Sequence, residues 1–341
     1  MFFMNNFKIG KYTIGNNHPC FIIAEAGSNH NGSIKKAKEL VDIAADSEAN
    51  AVKFQTFTGD KLYAKTHPAR EIIKKYEFKL EWHKEIKEYC DKKSILFMTT
   101  PFQNEAVDLL EELNIEGYKI ASGDMTHYPL LDYISATGKP IILATGMAYM
   151  DEVKEAVQRI KKGKTQEIAV LHCISNYPAK DNINLKAIAS IKEELGVITG
   201  FSDHSMGITI PIAAVATGAD IIEKHFTTSR TLEGMDHFYA LEPQELKLMV
   251  KEIRKVEEAM GNGEKVPAKD EYSGRHHGRR GIIAAYDLKK DEVIEEKHLD
   301  YVRPVSGIES KYYKEVVGKR MNIDCNKDEP IYWEYLEQKG E

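Results

Sequence analysis

No two cysteines in this chain stand close enough in sequence to form a CxxC pair: Cys20, Cys90, Cys173 and Cys325 are scattered along its length. That argues against a disulfide framework or a thiolate zinc site and fits a reducing cytosol. Uncharged apolar runs of the ~18 residues needed to span a membrane are also missing. The opening stretch MFFMNNFKIGKY lacks the apolar h-region of a secretory signal. The expectation is a cytoplasmic protein with no membrane partner. Positive charge is in deficit too. A net charge of −6 offers no basic field to a nucleic-acid backbone, so no nucleic-acid partner is expected. Any anionic substrate has to be held by local lysines, arginines, backbone N–H groups or a metal. The chain of 341 residues, 42% of them hydrophobic, is long enough for one large domain of about 200–250 residues plus a small one.

What the sequence has in plenty is alternation. Eight short runs are rich in β-branched residues: FIIAEAG (21–27), AVKFQTF (51–57), ILFMTTPF (95–102), GYKIASGD (117–124), PIILATG (140–146), EIAVLHC (167–173), VITGFSD (197–203) and IIEKHFT (221–227). They read as strands buried on both faces. Between them apolar residues recur at helical spacing, as in Ala37, Leu40, Val41, Ala44 and Ala45. Val153, Ala156, Val157 and Ile160 precede Gly163, and Leu185, Ile188 and Leu195 precede Gly196. Pro243 opens a last stripe of Leu246, Met249, Val250, Ile253 and Met260 that stops at Gly261. Eight strand–helix units predict an α/β fold of the (β/α)8 TIM-barrel type. A doubly wound sheet is the competing fold, but GSNHNGS after the first run does not match its GxGxxG turn. Residues 261–280 turn polar and glycine-rich without periodicity, as a linker does. The expected division is a barrel domain over 1–262, a linker over 263–280 and a small domain over 281–341 with little core of its own.

In a TIM barrel the active site is built at the C-terminal ends of the strands. Here those ends carry Glu25, Asn29 and His30; Lys53 and Gln55; Thr99 and Thr100; Lys119, Ser122 and Asp124; and Thr145. They continue with His172, Ser175 and Tyr177; Ser202, Asp203 and His204; and Glu223, Lys224 and His225. Lysines in apolar strands are rarely buried without a partner, so Lys53 and Lys119 are read as anion-binding or catalytic rather than as structural ion pairs. His204 and His225, at the ends of adjacent strands with carboxylates nearby, read as a metal site. Two imidazoles and no thiolate point to an oxygen-rich Mn²⁺ or Mg²⁺ site with open positions. Glu223 reads as a supporting or ion-pairing residue. Thr99, Thr145 and His172 suit simple support of the barrel end equally well, and His127, His276 and His277 read as solvated loop residues. Two lysines and several hydroxyls can hold a phosphate and a carboxylate, a metal can polarise a carbonyl, and Glu25 and Asp124 can move protons. That set suits carbon–carbon bond formation between a phosphorylated enol acid and an aldehyde.

The segments FIIAEAGSNHNGS, AVKFQTF, GYKIASGD, HCISNYP, GFSDHSMG and IIEKHFT closely resemble the sialic acid synthase family. Its members include N-acetylneuraminate, legionaminate and pseudaminate synthases and the spore coat polysaccharide biosynthesis protein E group. GIIAAYDLKKDEVIEEKHL with YVRP resembles their C-terminal antifreeze-like (SAF) domain, so the likeness covers nearly the whole chain. It implies a TIM barrel followed by a small β-clip domain, in a domain-swapped homodimer. The implied reaction joins phosphoenolpyruvate to an N-acyl-hexosamine, an aldose of the N-acyl-mannosamine type, and releases phosphate by C–O cleavage. His204 and His225 would hold the divalent metal, Mn²⁺ or Mg²⁺. Lys53, Thr100, Lys119, Ser122 and Ser202 would contact phosphoenolpyruvate. Gln55, Tyr177, Asp236 and, from the partner's small domain, Arg303 would contact the sugar, with Glu25 and Asp124 flanking the reacting carbons.

The chain departs from the family pattern where Asp124 replaces a frequent Glu, Ala144 a frequent Ser and Ser175 a frequent Asn. The segment TGDKLYAKTHPAREIIKKYEFKL does not match the neuraminate synthases well. These departures leave the sugar open between the N-acyl-mannosamine type and a 6-deoxy diacetamido sugar of the legionaminate or pseudaminate type. The residues are also compatible with a Schiff-base aldolase using Lys119 or Lys224, with a synthase for a phosphorylated aldose, and with a non-catalytic sugar-binding protein.

Overall fold

An antiparallel hairpin, β1 (Asn6–Ile9) and β2 (Tyr12–Gly15), leads into eight parallel strands. These are β3 (Phe21–Gly27), β4 (Ala51–Thr56), β5 (Leu96–Pro101), β6 (Tyr118–Ile120), β7 (Ile141–Ala144), β8 (Ile168–Cys173), β9 (Ile198–Asp203) and β10 (Ile221–His225). The computed structural model describes residues 6–337. The hydrogen-bonded order is β5-β4-β3-β10-β9-β8-β7-β6. Strand β10 pairs back onto β3, with Ile221 opposite Phe21 and His225 opposite Glu25, and β5 meets β6 across a seam. The chain therefore curls into a TIM-like barrel, as the alternation of runs predicts.

The intervening helices start and stop where local chemistry directs. Ser33 caps Ile34–Asp46 by accepting from the Lys36 N–H. Gly196, at φ 61°, takes the left-handed conformation that ends Ala187–Leu195. Glu245 reaches back to the Glu242 N–H at the start of Pro243–Met260. Outward strand residues such as Ile22, Val52, Phe54 and Ile222 pack with Leu40, Val41, Leu246 and Met249 of the helices. Inward residues of the N-terminal half form a separate core: Phe21, Ile23, Ala51, Met98, Ile142, Ala169, Leu171, Ile198 and Ile221. Phe7, Ile9 and Ile14 of the hairpin belong to the same cluster and plug that end of the barrel. The hairpin is not among the expected elements, because its alternation is only two or three residues long on each side of Gly10. Each such buried side chain is worth roughly 1.5–3 kcal/mol, so the lower half of the barrel can carry a polar upper half.

The chain divides into two compact units, Met1–Gly261 and Asn262–Glu341. In the second, β11 (Gly281–Ala284) pairs antiparallel with β12 (Leu299–Val302), and the bridges Leu288–Cys325, Ile283–Pro330 and Met321–Leu336 tie further loops together. They enclose a core that includes Ile282, Leu288, Ile294, Ile308, Val316, Met321 and Ile331. The stretch expected to be an unstructured linker contains a helix, Glu271–Gly278, which also carries His276 and His277. All its residues are exposed, so it has no apolar stripe for a sequence pattern to reveal. Among the described residues no helix is long and apolar enough to cross a membrane.

Two buried histidines make the barrel acid-sensitive. The His83 Nδ1–H faces the Lys79 and Leu80 carbonyls, each at 3.1 Å, and Nε2 accepts from the Thr56 hydroxyl at 2.7 Å. Burial pushes its pKa down to about 4, and does the same to His30, packed among Phe54, Phe78 and Trp82. Both stay neutral in the folded protein, whereas an unfolded histidine takes up its proton near pH ~6.5. Below that pH the unfolded state binds more protons. Stability should therefore fall as pH drops from about 6.5 towards 4, by up to roughly 3 kcal/mol per histidine. In denaturant titrations, His83→Gln should lose less of its stability between about pH 7 and pH 4.5 than the natural chain does; an unchanged pH slope would contradict this.

Candidate active site

Going up each strand, the inward positions change from aliphatic to polar. Ile23 gives way to Glu25 on β3, Ala51 to Lys53 and Gln55 on β4, and Met98 to Thr100 on β5. Leu171 gives way to Cys173 on β8, and Ile221 to Glu223 and His225 on β10. Because side chains alternate across a strand, the register that seats the floor residues also aims these groups into the mouth. There, with Lys119, Ser122, Ala144, Ser175, Tyr177, Ser202 and His204, they line a cavity of about 320 Å³.

Four charges form one buried network on the wall of this cavity. Lys53 Nζ lies 2.9 Å from Glu25 Oε2 and 3.5 Å from Glu223 Oε1, and Lys119 Nζ lies 3.7 Å from Glu223 Oε2. Lys53 also donates to Thr100 Oγ1 at 3.1 Å, Lys119 to the Ile120 carbonyl at 3.0 Å, and Gln55 Nε2 to Glu25 Oε1 at 2.8 Å. Two acids balance two bases, which lets all four be buried. Burial pushes Glu25 up to about 7, and the pull of Lys53 only partly offsets it. Burial also drives Lys119 below its ordinary value. It opposes charge on Lys53 and Glu223 as well, but the two carboxylates hold Lys53 above its usual range and the two lysines hold Glu223 below its own. The network is thus a preformed receptor for an anion, with one carboxyl able to exchange a proton near neutral pH.

Hydroxyls converge beside it. Ser122 Oγ accepts from the Gly146 N–H at 2.9 Å. A Cβ on Gly146 would stand 2.1 Å from Ser175 Oγ and 3.0 Å from Ser122 Oγ, so glycine is what allows this approach. Ala144 and Ser175, two of the departures from the family pattern, both line the cavity.

The imidazoles of His204 and His225 stand 5.4 Å apart, centroid to centroid. The His204 Nδ1–H faces the Ile174 carbonyl at 2.8 Å, which turns Nε2 towards the cavity as a lone-pair donor. Burial pushes His225 down to about 3, so its ring is neutral. Burial works the same way on His204, but the neighbouring Cys173 and the Ile174 carbonyl outweigh it and hold that ring above its ordinary value; an ion there would have to displace a proton. Among the described residues no three His, Cys, Asp or Glu side chains gather closely enough to cage an ion. The pair fits an open site in which two nitrogens hold a divalent ion and oxygens of substrate and water complete the shell.

A second cavity, of about 470 Å³, shares Gln55, Phe102, Tyr177 and His225 with the first and reaches Ser28 and Asp236. Asp236 accepts from Ser28 Oγ at 2.8 Å and from the Tyr239 hydroxyl at 3.0 Å. Gly27 (φ +50°) lets Asp236 and His225 crowd together, since a Cβ there would lie 3.1 Å from the Asp236 carboxylate and 3.2 Å from the His225 ring.

Several candidates fall elsewhere. Asp124 sits in the turn Ser122–Asp124 beyond the short β6 and lines neither cavity; its nearest charged neighbour is His127 at 3.8 Å. The expected pairing of Glu25 with Asp124 gives way to Glu25 with Glu223, whose inward position follows from strand alternation. Lys224 points the other way, to Asp203 at 2.6 Å, which removes it as a Schiff-base candidate and leaves Lys119. His30 lies in its aromatic cluster and Asn29 donates to the Phe226 carbonyl at 2.8 Å. Thr99, Thr145 and His172 bond to Thr56, the Leu171 carbonyl and the Ile183 carbonyl, a supporting role. Arg303 is exposed in the second unit. Missed altogether was Cys173, 3.7 Å from His204 Nδ1, although the alternation Ala169, Leu171, Cys173 marks it as inward. A cavity of about 860 Å³ opens at the opposite end of the barrel. Its arginine, Arg254, is already engaged by Glu257, Asn50 and the Cys20 carbonyl.

A barrel of this kind, with a lysine–carboxylate network beside an imidazole pair, agrees with what comparison with known proteins finds. The model of the NeuB family matches residues 40–265 and that of the SAF domain residues 279–337. The chain belongs to the NeuB family. It is 42% identical to the N,N'-diacetyllegionaminic acid synthase of Campylobacter jejuni, over 91% of this chain and 98% of that protein. The crystal structure of N-acetylneuraminic acid (sialic acid) synthetase from Leptospira borgpetersenii, in complex with citrate, is similar at a TM-score of 0.76 and 39% identity, covering 80% of this chain and 96% of that one. The spore coat polysaccharide biosynthesis protein of Bacillus subtilis is similar at a TM-score of 0.69 and 34% identity, covering 98% and 100%.

Proposed function

We propose that this chain is a nonulosonate synthase, which condenses phosphoenolpyruvate with the open-chain aldehyde of an N-acyl-hexosamine and releases inorganic phosphate. The observation that carries the reading is the buried Glu25–Lys53–Glu223–Lys119 network opening into the same cavity as His204 and His225. Family membership and the names of the relatives agree with it.

Lys53 and Lys119 take the phosphate and carboxylate of phosphoenolpyruvate, exchanging part of their interaction with the glutamates for the incoming charge. Thr100, Ser122 and Ser202 donate to the remaining oxygens. Gln55, Tyr177 and Asp236 orient the sugar with its aldehyde towards the two histidines. A divalent ion, Mn²⁺ or Mg²⁺, held by His204 and His225 would act as a Lewis acid towards the aldehyde oxygen. The C3 carbon of phosphoenolpyruvate attacks the aldehyde carbon, forming the new C–C bond and leaving positive charge at C2. Water adds at C2 and gives its proton to Glu25, which is poised near neutrality for that transfer. The tetrahedral carbon then collapses to a ketone by breaking its bond to the phosphate oxygen. Lys53 and Lys119 stabilise the leaving phosphate in a site where little water competes. Asp124 has no part in this scheme. The four cysteines are buried and unpaired, which suits work in the reducing cytoplasm.

With ¹⁸O in the bridging oxygen of phosphoenolpyruvate, the label should leave in inorganic phosphate, and chelation should stop the release until Mn²⁺ or Mg²⁺ is returned. Label retained in the sugar acid, or full turnover in verified metal-free protein, would refute the mechanism. Covalent trapping by borohydride would point instead to a Schiff base on Lys119.

We further propose a domain-swapped homodimer in which Arg303 serves the barrel of the other copy. The residue is exposed on a small unit that follows a polar stretch, and its guanidinium suits the polar groups of a sugar. Co-expressing His225→Ala with Arg303→Ala should restore activity, because one site of each heterodimer then combines an intact barrel with an intact Arg303. Heterodimers that form and stay inactive would rule out action in trans.

A further inference from the structure

The second cavity has a character that the reaction itself does not require. Beyond the residues it shares with the reaction site, its walls are Phe57, Leu62, Tyr63, Ile73 and Met235, with Phe102 at the junction. Phe57 and Ile73 are fully packed, so these walls are fixed. Leu62, Tyr63 and Ile73 come from the segment after β4, which folds into the short helices Gly59–Leu62 and Ala69–Ile73. Polar groups here are few and largely committed: Gln55 donates to Glu25 and Ser28 to Asp236. No lysine or arginine lines the cavity, and its one acid is Asp236. The cations of the same segment are turned aside, Arg70 to Asp60 at 2.8 Å and Lys74 to Asp60 at 2.9 Å.

Gln55, Tyr177 and His225 border both cavities. A sugar held with its aldehyde at the imidazole pair therefore extends its far end into this chamber. A hydroxymethyl group there would lose water without gaining partners, whereas a methyl group gains by burial. A terminal phosphate would meet no cation and would face the Asp236 carboxylate. An acylamido group is suited on both counts, since its methyl packs on the apolar wall and its N–H can donate to Asp236.

We infer that the chamber formed by Phe57, Leu62, Tyr63, Ile73, Phe102 and Met235 selects an acceptor with an apolar, uncharged far end: a deoxy aldose bearing a second acylamido group. The inference rests on the synthase reading and deepens it. The test compares kcat/KM, by phosphate release from phosphoenolpyruvate, for three acceptors: a 2,4-diacetamido-2,4,6-trideoxyhexose of manno configuration, N-acetylmannosamine, and N-acetylmannosamine 6-phosphate. The trideoxy sugar should lead N-acetylmannosamine by at least about ten-fold, with the phosphorylated sugar last. Leu62 is only partly buried, so Leu62→Asn should fold and should narrow the ratio between the first two towards parity. A natural enzyme that prefers N-acetylmannosamine or its phosphate, or a ratio unmoved by Leu62→Asn, would overturn the inference and leave the synthase reading in place. Phosphate release with none of the three would remove both.

Discussion

Two lysines and two glutamates, buried together at the top of a barrel, set the terms for everything around them. Taking a single charge out of water costs several kcal/mol, and four can stay only if each finds an opposite partner at close range. The Glu25–Lys53–Glu223–Lys119 network meets that condition within 2.9–3.7 Å, with Thr100, Gln55 and the Ile120 carbonyl taking up further bonding capacity. Its balance is also its weakness. Burial holds Lys119 below and Glu25 above their ordinary values, so an arriving anion improves the position of the lysines while Glu25 is ready to exchange a proton. Groups strained in this way are found where chemistry is done more often than where a fold merely needs an ion pair.

The barrel explains how such a cluster is tolerated. The lower half is filled by aliphatic side chains and sealed by the hairpin residues Phe7, Ile9 and Ile14, and the outer face is packed against helices. With that much apolar surface removed from water below, polar groups can occupy the inward positions above. The two halves are linked by strand alternation: the register that buries Ile221 also points Glu223 and His225 into the mouth and sends Lys224 outward to Asp203. A slip of one residue in β10 would exchange these faces, so floor packing and site geometry are selected together.

Much of this was legible in the sequence. The eight runs were visible because strands buried on both faces are nearly continuous in hydrophobicity, and the lysines within them were conspicuous for the same reason. Glycines after helical stripes, such as Gly196, marked ends correctly. What alternation could have added was which of two adjacent polar residues faces inward: it separates Glu223 from Lys224 and Thr100 from Thr99, and would have recovered Cys173. Other features left no local signal. The hairpin is too short for a period to show, and Glu271–Gly278 has no apolar face. Asp124 looked like a site residue because it follows β6 closely, but β6 ends at Ile120 and the turn carries the carboxylate away from the cavity. The partly apolar chamber beside the site is built by a segment whose hydrophobic residues, Leu62, Tyr63 and Ile73, are too sparse to read as an element.

The central claim is that the lysine–glutamate network is a ready-made receptor for phosphoenolpyruvate. A crystal structure of the protein with phosphoenolpyruvate tests it most directly. The account predicts phosphate and carboxylate oxygens within hydrogen-bond distance of Lys53 and Lys119 Nζ, in the cavity that also holds His204 and His225. Phosphoenolpyruvate bound away from both lysines, with the four-residue network undisturbed, would contradict it.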